Sequence, residues 1–187
     1  MSSQTAKKKA MYEDLCALPE NIVGEIVNGE LVATPRPKAR HIWAASRLGT
    51  KICGPYDLGE GGPGGWWILD EPELHLAEHV LVPDLAGWRR ERMPELPDSH
   101  VFAIPPDWVC EVLSQRTARL DRVEKMPIYA RPGVKLLWLV NPDMKSLDVY
   151  VLEGRETWTL LSSHGEDDKV HAEPFQDIEL DLSLLWA

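Results

Sequence analysis

The sequence has few cysteines and no recognisable pattern among them. Its 187 residues include three, Cys16, Cys53 and Cys110, and no pair has C-x-x-C spacing. An odd number of scattered cysteines argues against a disulfide framework and against a thiolate zinc site. We therefore expect a cytoplasmic protein, because thiols stay reduced in that compartment.

Long apolar segments and an excess of basic residues are also absent. No segment approaches the roughly 20 apolar residues of a membrane-spanning helix, so we predict no membrane contact. Residues 1–10 contain three lysines with no apolar stretch behind them, which predicts a flexible tail rather than a secretion signal. Residues 11–187 have the length of a single domain. Because the net charge is −10, any contact with nucleic acid needs a local basic patch or the help of metal ions.

Hydrophobic periodicity predicts strands and helices in alternation. Asn28-Gly29 between two apolar runs predicts a hairpin turn, since both residues tolerate positive φ. Apolar residues at steps of three and four predict an amphipathic helix over 38–53. Further strands are predicted at 66–69, 80–86, 108–113 and 136–140, a helix at 119–130, and a second hairpin from 146–152 and 157–162. This order predicts an α/β (α+β) fold with a mixed central β-sheet flanked by helices.

Two carboxylates stand in otherwise apolar strand patterns. Asp84 ends one apolar run, and Glu111 interrupts another over 108–113. A buried ionised carboxylate is unfavourable unless it is neutralised, paired with a base or bound to a metal. Magnesium binds carboxylate oxygens in small clusters that retain waters. The pattern therefore agrees with a magnesium site. It agrees equally with structural roles, in which Asp84 is a turn acid at a strand end after proline and Glu111 forms an ion pair with Arg119 or Arg122.

The residues around these acids resemble those of the Uma-type family, a group of restriction-endonuclease-like proteins in the PD-(D/E)XK nuclease superfamily. The resemblance lies in Pro83-Asp84, in Glu-Val-Leu-Ser at 111–114, in Asp-Arg-Val-Glu-Lys-Met-Pro-Ile-Tyr-Ala-Arg at 121–131, and in the segment 133–140. The first hairpin, around 25–31, is also similar to that of the family.

The resemblance implies a restriction-endonuclease-like core with an N-terminal hairpin, in which Asp84 and Glu111 bind Mg²⁺ or Mn²⁺ and Glu25 supplies a further acid. The superfamily's lysine stands two residues after the second acid, where this chain has Leu113, and the resemblance implies that Lys125 replaces it from the next helix. The implied activity is a Mg²⁺-dependent endonuclease that hydrolyses phosphodiester bonds of DNA. We expect it to act as a homodimer.

Two other functions are compatible with the sequence. The acidic net charge agrees with a nuclease-fold protein that binds or regulates without cleaving. The run from His75 through Glu78 to His79 matches the H-x-x-E-H signature of inverted zinc metalloproteases, which requires a helix. Pro72 and the strand predicted from residue 80 leave little space for that helix, so we favour the nuclease.

Basic and histidine side chains near the proposed site have two interpretations each. Arg116, Arg119 and Arg122 could contact nucleic acid, or they could form a solvated helix face. His41, on the first predicted helix, could approach the metal site or could be structural. The eight tryptophans are expected mainly in the core.

Overall fold

A computed structural model describes residues 9–187, and the first eight residues of the predicted tail lie outside this range. The N-terminal half contains α1 (Tyr12–Cys16), β1 (Ile22–Val27), β2 (Glu30–Pro35), α2 (Ala39–Ile52), a π-helical turn (Cys53–Leu58), β3 (Trp66–Asp70), β4 (Glu73–Leu76), β5 (His79–Leu81) and β6 (Leu85–Arg89). The C-terminal half contains β7 (Val101–Phe102), β8 (Trp108–Val112), α3 (Ala118–Leu120), a second π-helical turn (Asp121–Lys125), α4 (Met126–Ala130), β9 (Leu136–Asn141), β10 (Ser146–Glu153), β11 (Thr157–Gly165), β12 (Lys169–Val170), β13 (Leu180–Asp181) and a 3₁₀ helix (Leu182–Leu185).

The predicted hairpin at Asn28-Gly29 is confirmed. β1 and β2 are antiparallel with Val27 opposite Glu30. Asn28 and Gly29 both have positive φ, 51° and 77°, as a two-residue turn matched to the twist of its strands requires.

A mixed six-stranded sheet forms the centre of the molecule, in the order β11-β10-β9-β8-β6-β3. The pair β8–β9 is parallel and the neighbouring pairs are antiparallel, so the predicted mixed sheet is confirmed. A smaller sheet has the order β2-β1-β5-β4-β7. Every residue of β8, including Glu111, is buried, as its nearly continuous apolar sequence predicted.

Buried side chains cover both faces of the central sheet. On one face, Leu48 and Ile52 of α2 pack in a cluster with Trp108 and Trp138. On the other, Tyr129 of α4 packs in a cluster with apolar residues that include Val109 and Leu137. The predicted use of tryptophans in the core is confirmed at these positions. Within residues 9–187, no helix combines the length and apolar character that crossing a bilayer requires.

The prediction of one strand over 80–86 is wrong. The chain leaves the small sheet after β5 and enters the central sheet at β6, with Pro83 and Asp84 in the connection. Proline has no N–H to donate to a strand ladder, which favours a break at this point. Asp84 therefore stands where the two sheets meet.

The H-x-x-E-H run does not form the helix that a zinc protease needs. It spans β4, a two-residue turn and β5, with Leu76 opposite His79. The His79 ring accepts a hydrogen bond from the Asn28 backbone N–H, and His75 contacts Glu73 at 2.8 Å. The two histidines are thus placed by a hairpin, which removes the structural basis of the metalloprotease alternative.

Candidate active site

A cleft of about 800 Å³ opens where the two sheets approach α2 and the second π-helical turn. Its walls come from the segment joining β2 to α2, the connection between β5 and β6, the end of β8 and the turn at 121–125. The cleft brings together all four of the predicted catalytic residues: Glu25, Asp84, Glu111 and Lys125.

Asp84 lies directly before β6, next to the end of β8. β6 and β8 are antiparallel, and their ladder ends with Leu85 opposite Cys110, the residues that follow Asp84 and precede Glu111. The backbone N–H of Val112 donates to Oδ2 of Asp84 at 2.6 Å, which holds this carboxylate at the end of β8.

Lys125 reaches the acids from the helical segment that follows β8. The segment widens into a π-helical turn at Asp121–Lys125, directly before the helix that contains Pro127. Pro127 cannot donate a backbone hydrogen bond, so it interrupts the regular α-helical pattern. A π-helical turn accommodates this interruption, because each of its hydrogen bonds spans one more residue than in an α-helix. The Lys125 side chain is 3% exposed, and its Nζ lies 2.8 Å from Oε1 of Glu111.

Glu25 and Asp121 complete the surroundings of the ammonium group. Nζ of Lys125 lies 2.9 Å from Oε1 of Glu25 and 3.6 Å from Oδ1 of Asp121. Oε1 of Glu25 also accepts the backbone N–H of Val82 at 2.9 Å. Glu25 therefore ties the first hairpin to the cleft. We call Glu25, Asp84, Glu111 and Asp121 the acidic floor.

The side chains of Tyr129 and His41 contact two of the carboxylates of the acidic floor. The Tyr129 hydroxyl donates to Oε1 of Glu111 at 2.6 Å. Nε2 of His41 lies 2.5 Å from Oδ1 of Asp84, and the buried Nδ1 of His41 has no hydrogen-bond partner in the described part of the chain. Both Asp84 oxygens are thus engaged, one by α2 and the other by β8.

Burial and the charges of neighbouring acids shift the pKa values of Glu111 and Asp121. Burial raises the pKa of Glu111 well above its ordinary value, against the opposing charge of Lys125. Burial likewise raises the pKa of Asp121. Burial alone would lower the pKa of Lys125, but the Glu111 and Glu25 carboxylates outweigh it and raise that pKa well above its usual range. Lys125 therefore carries a full positive charge at neutral pH, in a site where acids outnumber it.

The donor set of the floor fits a magnesium-like ion. Among residues 9–187, no three His, Cys, Asp or Glu side chains converge as a metal-binding group. Mg²⁺ is commonly held by only one or two carboxylates together with several waters. Asp84 and Glu111 offer two carboxylates that line the same cleft, and carboxylate donors suit Mg²⁺ or Mn²⁺.

The three arginines predicted to contact nucleic acid do not all line the cleft. Arg116 lines the cleft. Arg119 and Arg122 are not among the lining residues: Arg122 contacts Asp148 at 3.1 Å, and Arg119 is exposed, 3.9 Å from Glu124.

Several residues at the cleft were not singled out from the sequence. Asp121 and Tyr129 each stand four residues from Lys125, a spacing that predicts a shared helix face. Three further cations, Arg36, Lys38 and Arg40, line the cleft. Their alternation with prolines is visible in the sequence, but their nearness to the acids depends on how the first hairpin packs.

Comparison with known proteins agrees with this architecture. The sequence model of the Uma2 family, described as "Putative restriction endonuclease", matches residues 10–183. Among solved structures, the chain is similar to the crystal structure of "a putative nuclease belonging to DUF820 from Anabaena variabilis ATCC 29413". The two share 20% sequence identity with a TM-score of 0.71, over 92% of this chain and 95% of the other. No curated protein matches the chain. The likeness shows a shared fold, and the predicted restriction-endonuclease-like fold is confirmed.

Proposed function

The chain belongs to the Uma2 family, and from this premise we propose that it is a Mg²⁺- or Mn²⁺-dependent endonuclease that hydrolyses phosphodiester bonds of DNA. Asp84, Glu111, Lys125 and Glu25 are the proposed catalytic residues, and residues 11–187 are the proposed single domain. A homodimer and a cytoplasmic location stay predictions from the sequence.

The observation that supports the proposal best is the position of the Lys125 ammonium. It lies within 2.9 Å of Glu111 and Glu25, in an open cleft that also contains Asp84. An ion pair that serves only stability is expected to balance its charges, because excess buried charge is unfavourable. Three carboxylates, those of Glu111, Glu25 and Asp121, lie within 3.6 Å of this one ammonium group, and a divalent cation would neutralise the negative charge that Lys125 does not balance.

Each proposed residue has a separate task. A bound Mg²⁺, held by Asp84 and Glu111, would polarise the phosphate and acidify a water. Lys125 remains protonated because its pKa is raised, so its role is to stabilise negative charge developing on the phosphate rather than to act as a base. Glu25 holds the ammonium beside Glu111.

The surrounding hydrogen bonds orient the proposed ligands. Tyr129 fixes Oε1 of Glu111, while His41 and the Val112 N–H fix the two oxygens of Asp84. Such outer contacts keep ligands in one orientation before the ion and substrate bind.

A second candidate function is a nuclease-fold protein that binds nucleic acid without cleaving it. It is favoured by the lack, within residues 9–187, of three converging metal-ligand side chains and by the net charge of −10.

Two measurements distinguish the nuclease from the protein that binds without cleaving: plasmid nicking, and the change in Tm on adding Mn²⁺. We expect Mg²⁺- or Mn²⁺-dependent nicking that is lost in Asp84→Asn, Glu111→Gln and Lys125→Met. Asp167→Asn and Glu156→Gln, which alter exposed acids outside the cleft, should cleave like the wild type. Mn²⁺ should raise the Tm of the wild type, because an ion that binds only the folded state stabilises it. Folded protein that neither cleaves with any divalent ion nor responds to Mn²⁺ would rule out the enzyme. A Tm response with DNA binding and no cleavage would establish the second candidate.

A further inference from the structure

The mouth of the cleft carries a concentration of exposed basic side chains. Arg36, Lys38, Arg40 and Arg116 all line the cleft and are all exposed, and we call them the basic rim. The acids among the exposed lining residues are Glu71 and Asp143. The exposed residues at the mouth therefore carry more positive than negative charge. They share the cleft with the acidic floor, in a protein whose net charge is −10.

The rim cations are largely free of ion pairs. Within residues 9–187, Arg36, Lys38 and Arg116 have no acidic side chain within 4 Å, and Arg40 approaches Asp143 at 4.0 Å while 67% exposed. Arginines elsewhere are engaged, as Arg90 is with Asp57 at 2.6 Å. A solvated surface would be expected to mix charges of both signs. The rim instead presents cations that are available to an external anion.

Two prolines restrict the backbone of the rim segment that precedes α2. Pro35 and Pro37 flank Arg36, and a residue that precedes proline is restricted to extended conformations. Lys38 has φ −72° and ψ 159°, close to polyproline II values. Arg36 and Lys38 are thus separated by about 6 Å of chain, which is comparable with the spacing of adjacent phosphates on a nucleic-acid strand. This rigidity lowers the entropy lost when a strand is bound.

The end of α2 at the rim adds to the positive potential. Lys38 precedes the helix, and Arg40 lies in its first turn. The described chain provides no side-chain cap at this end and no acidic residue in the first turn. The partial positive charge of a helix N-terminus therefore reinforces the rim cations.

We infer that the basic rim binds the sugar-phosphate backbone next to the scissile phosphate. The inference rests on the proposed function, because it assigns the floor to the scissile phosphate. Arg and Lys bind phosphates by charge and by hydrogen bonds without reading bases. Because deprotonated acids of the floor would repel a phosphate, we expect a divalent cation in the cleft to strengthen strand binding.

Binding measurements test the rim without requiring cleavage. Fluorescence anisotropy of a labelled single-stranded oligodeoxynucleotide, with Ca²⁺ present, is compared for the full-length wild type, the rim variant Arg36→Gln/Lys38→Gln/Arg40→Gln, and the control variant Lys51→Gln/Lys135→Gln/Arg155→Gln. The control removes the same charge from exposed positions outside the cleft. We expect the rim variant to raise Kd on the order of tenfold or more and to lower the salt slope by about 0.7 for each lost contact. The control should keep the Kd of the wild type within a small factor.

Hydrolysis assays separate failure of this inference from failure of the proposed function. The rim variant should lose more kcat/KM on the oligonucleotide than on bis(p-nitrophenyl) phosphate, mainly through KM, because the small diester does not extend to the rim. Equal losses on both substrates, or equal Kd values for the rim and control variants, would overturn the inference while leaving the nuclease intact. Rim-dependent binding by a wild type that hydrolyses neither substrate would support the rim and refute the nuclease.

Discussion

Replacing Lys125 with methionine tests whether this lysine balances the buried acids. Methionine keeps an unbranched side chain of similar length, but the Glu111 and Glu25 carboxylates, 2.8 and 2.9 Å from Nζ, lose their cation. Removing one partner of a buried ion pair typically destabilises a protein by about 3–5 kcal/mol. We expect the free energy of unfolding of Lys125→Met at neutral pH to fall by about this amount.

The loss in the free energy of unfolding of Lys125→Met should increase as pH rises from acidic to neutral. Burial raises the pKa of Glu111 in the folded protein and Lys125 opposes that shift, so Lys125→Met raises it further. A carboxyl group whose pKa is raised by folding contributes stability below its unfolded pKa, about 4.3 for glutamate, and this contribution disappears as pH rises through the folded pKa. The deficit of Lys125→Met should therefore be smallest near about pH 4 and grow toward neutral pH.

Urea unfolding followed by tryptophan fluorescence, in EDTA and over this pH range, measures the effect. Lys135→Met, at an exposed position, is the matched control. Glu111→Gln in the Lys125→Met background should recover part of the lost stability, because it removes one uncompensated carboxylate. A deficit that does not vary with pH, or one no larger than that of the control, would refute the electrostatic reasoning.

Three other changes probe the supports of the site and the first hairpin. His41→Asn should weaken Mn²⁺ binding about 10- to 100-fold by releasing Asp84, and calorimetric titration showing an unchanged Kd would contradict this. Tyr129→Phe removes the 2.6 Å hydrogen bond to Glu111 and should lower the free energy of unfolding by about 1–3 kcal/mol, whereas an unchanged Tm would mean that the bond adds nothing. Gly29→Ala forces a Cβ into a backbone with φ of 77°, and urea unfolding should show a loss of about 1–2 kcal/mol unless the turn changes type.

The local sequence pattern predicts part of the arrangement of the two acids. Glu111 interrupts an apolar strand, so its burial was predictable, and Asp84 was recognisable at the end of another apolar run. The division of that run was not predicted, because apolar residues continue on both sides of Pro83. Membership in two different sheets is decided by distant partners, Ile26 for β5 and Cys110 for β6, and local periodicity carries no information about them.

The contacts of Lys125 also depend on distant partners that the local sequence pattern does not predict. Spacing of four residues predicts that Asp121, Lys125 and Tyr129 share a helix face, but it does not say which strand this face meets. The Glu25 contact is even less local, since it joins residues one hundred positions apart through packing of the first hairpin. The resemblance to the Uma-type family supplied Glu25 and Lys125 together with Asp84 and Glu111, while the helical pattern alone would have placed Lys125 on a solvated face.

The distribution of charge at the cleft makes the proposed nucleic-acid substrate compatible with the negative net charge of the protein. Net charge governs long-range attraction, whereas binding depends on which charges lie within a Debye length, about 8 Å at physiological ionic strength, of the phosphates. At the cleft, the acids are concentrated on the buried floor and the cations on the exposed rim. In the proposed function, a cation on the floor would remove the repulsion that opposes a strand on the rim, so the two binding events would favour each other. Thermodynamic linkage would make this coupling reciprocal: a strand held by the rim would strengthen cation binding by the same factor, and the proposed metal would bind most tightly when the proposed substrate is present.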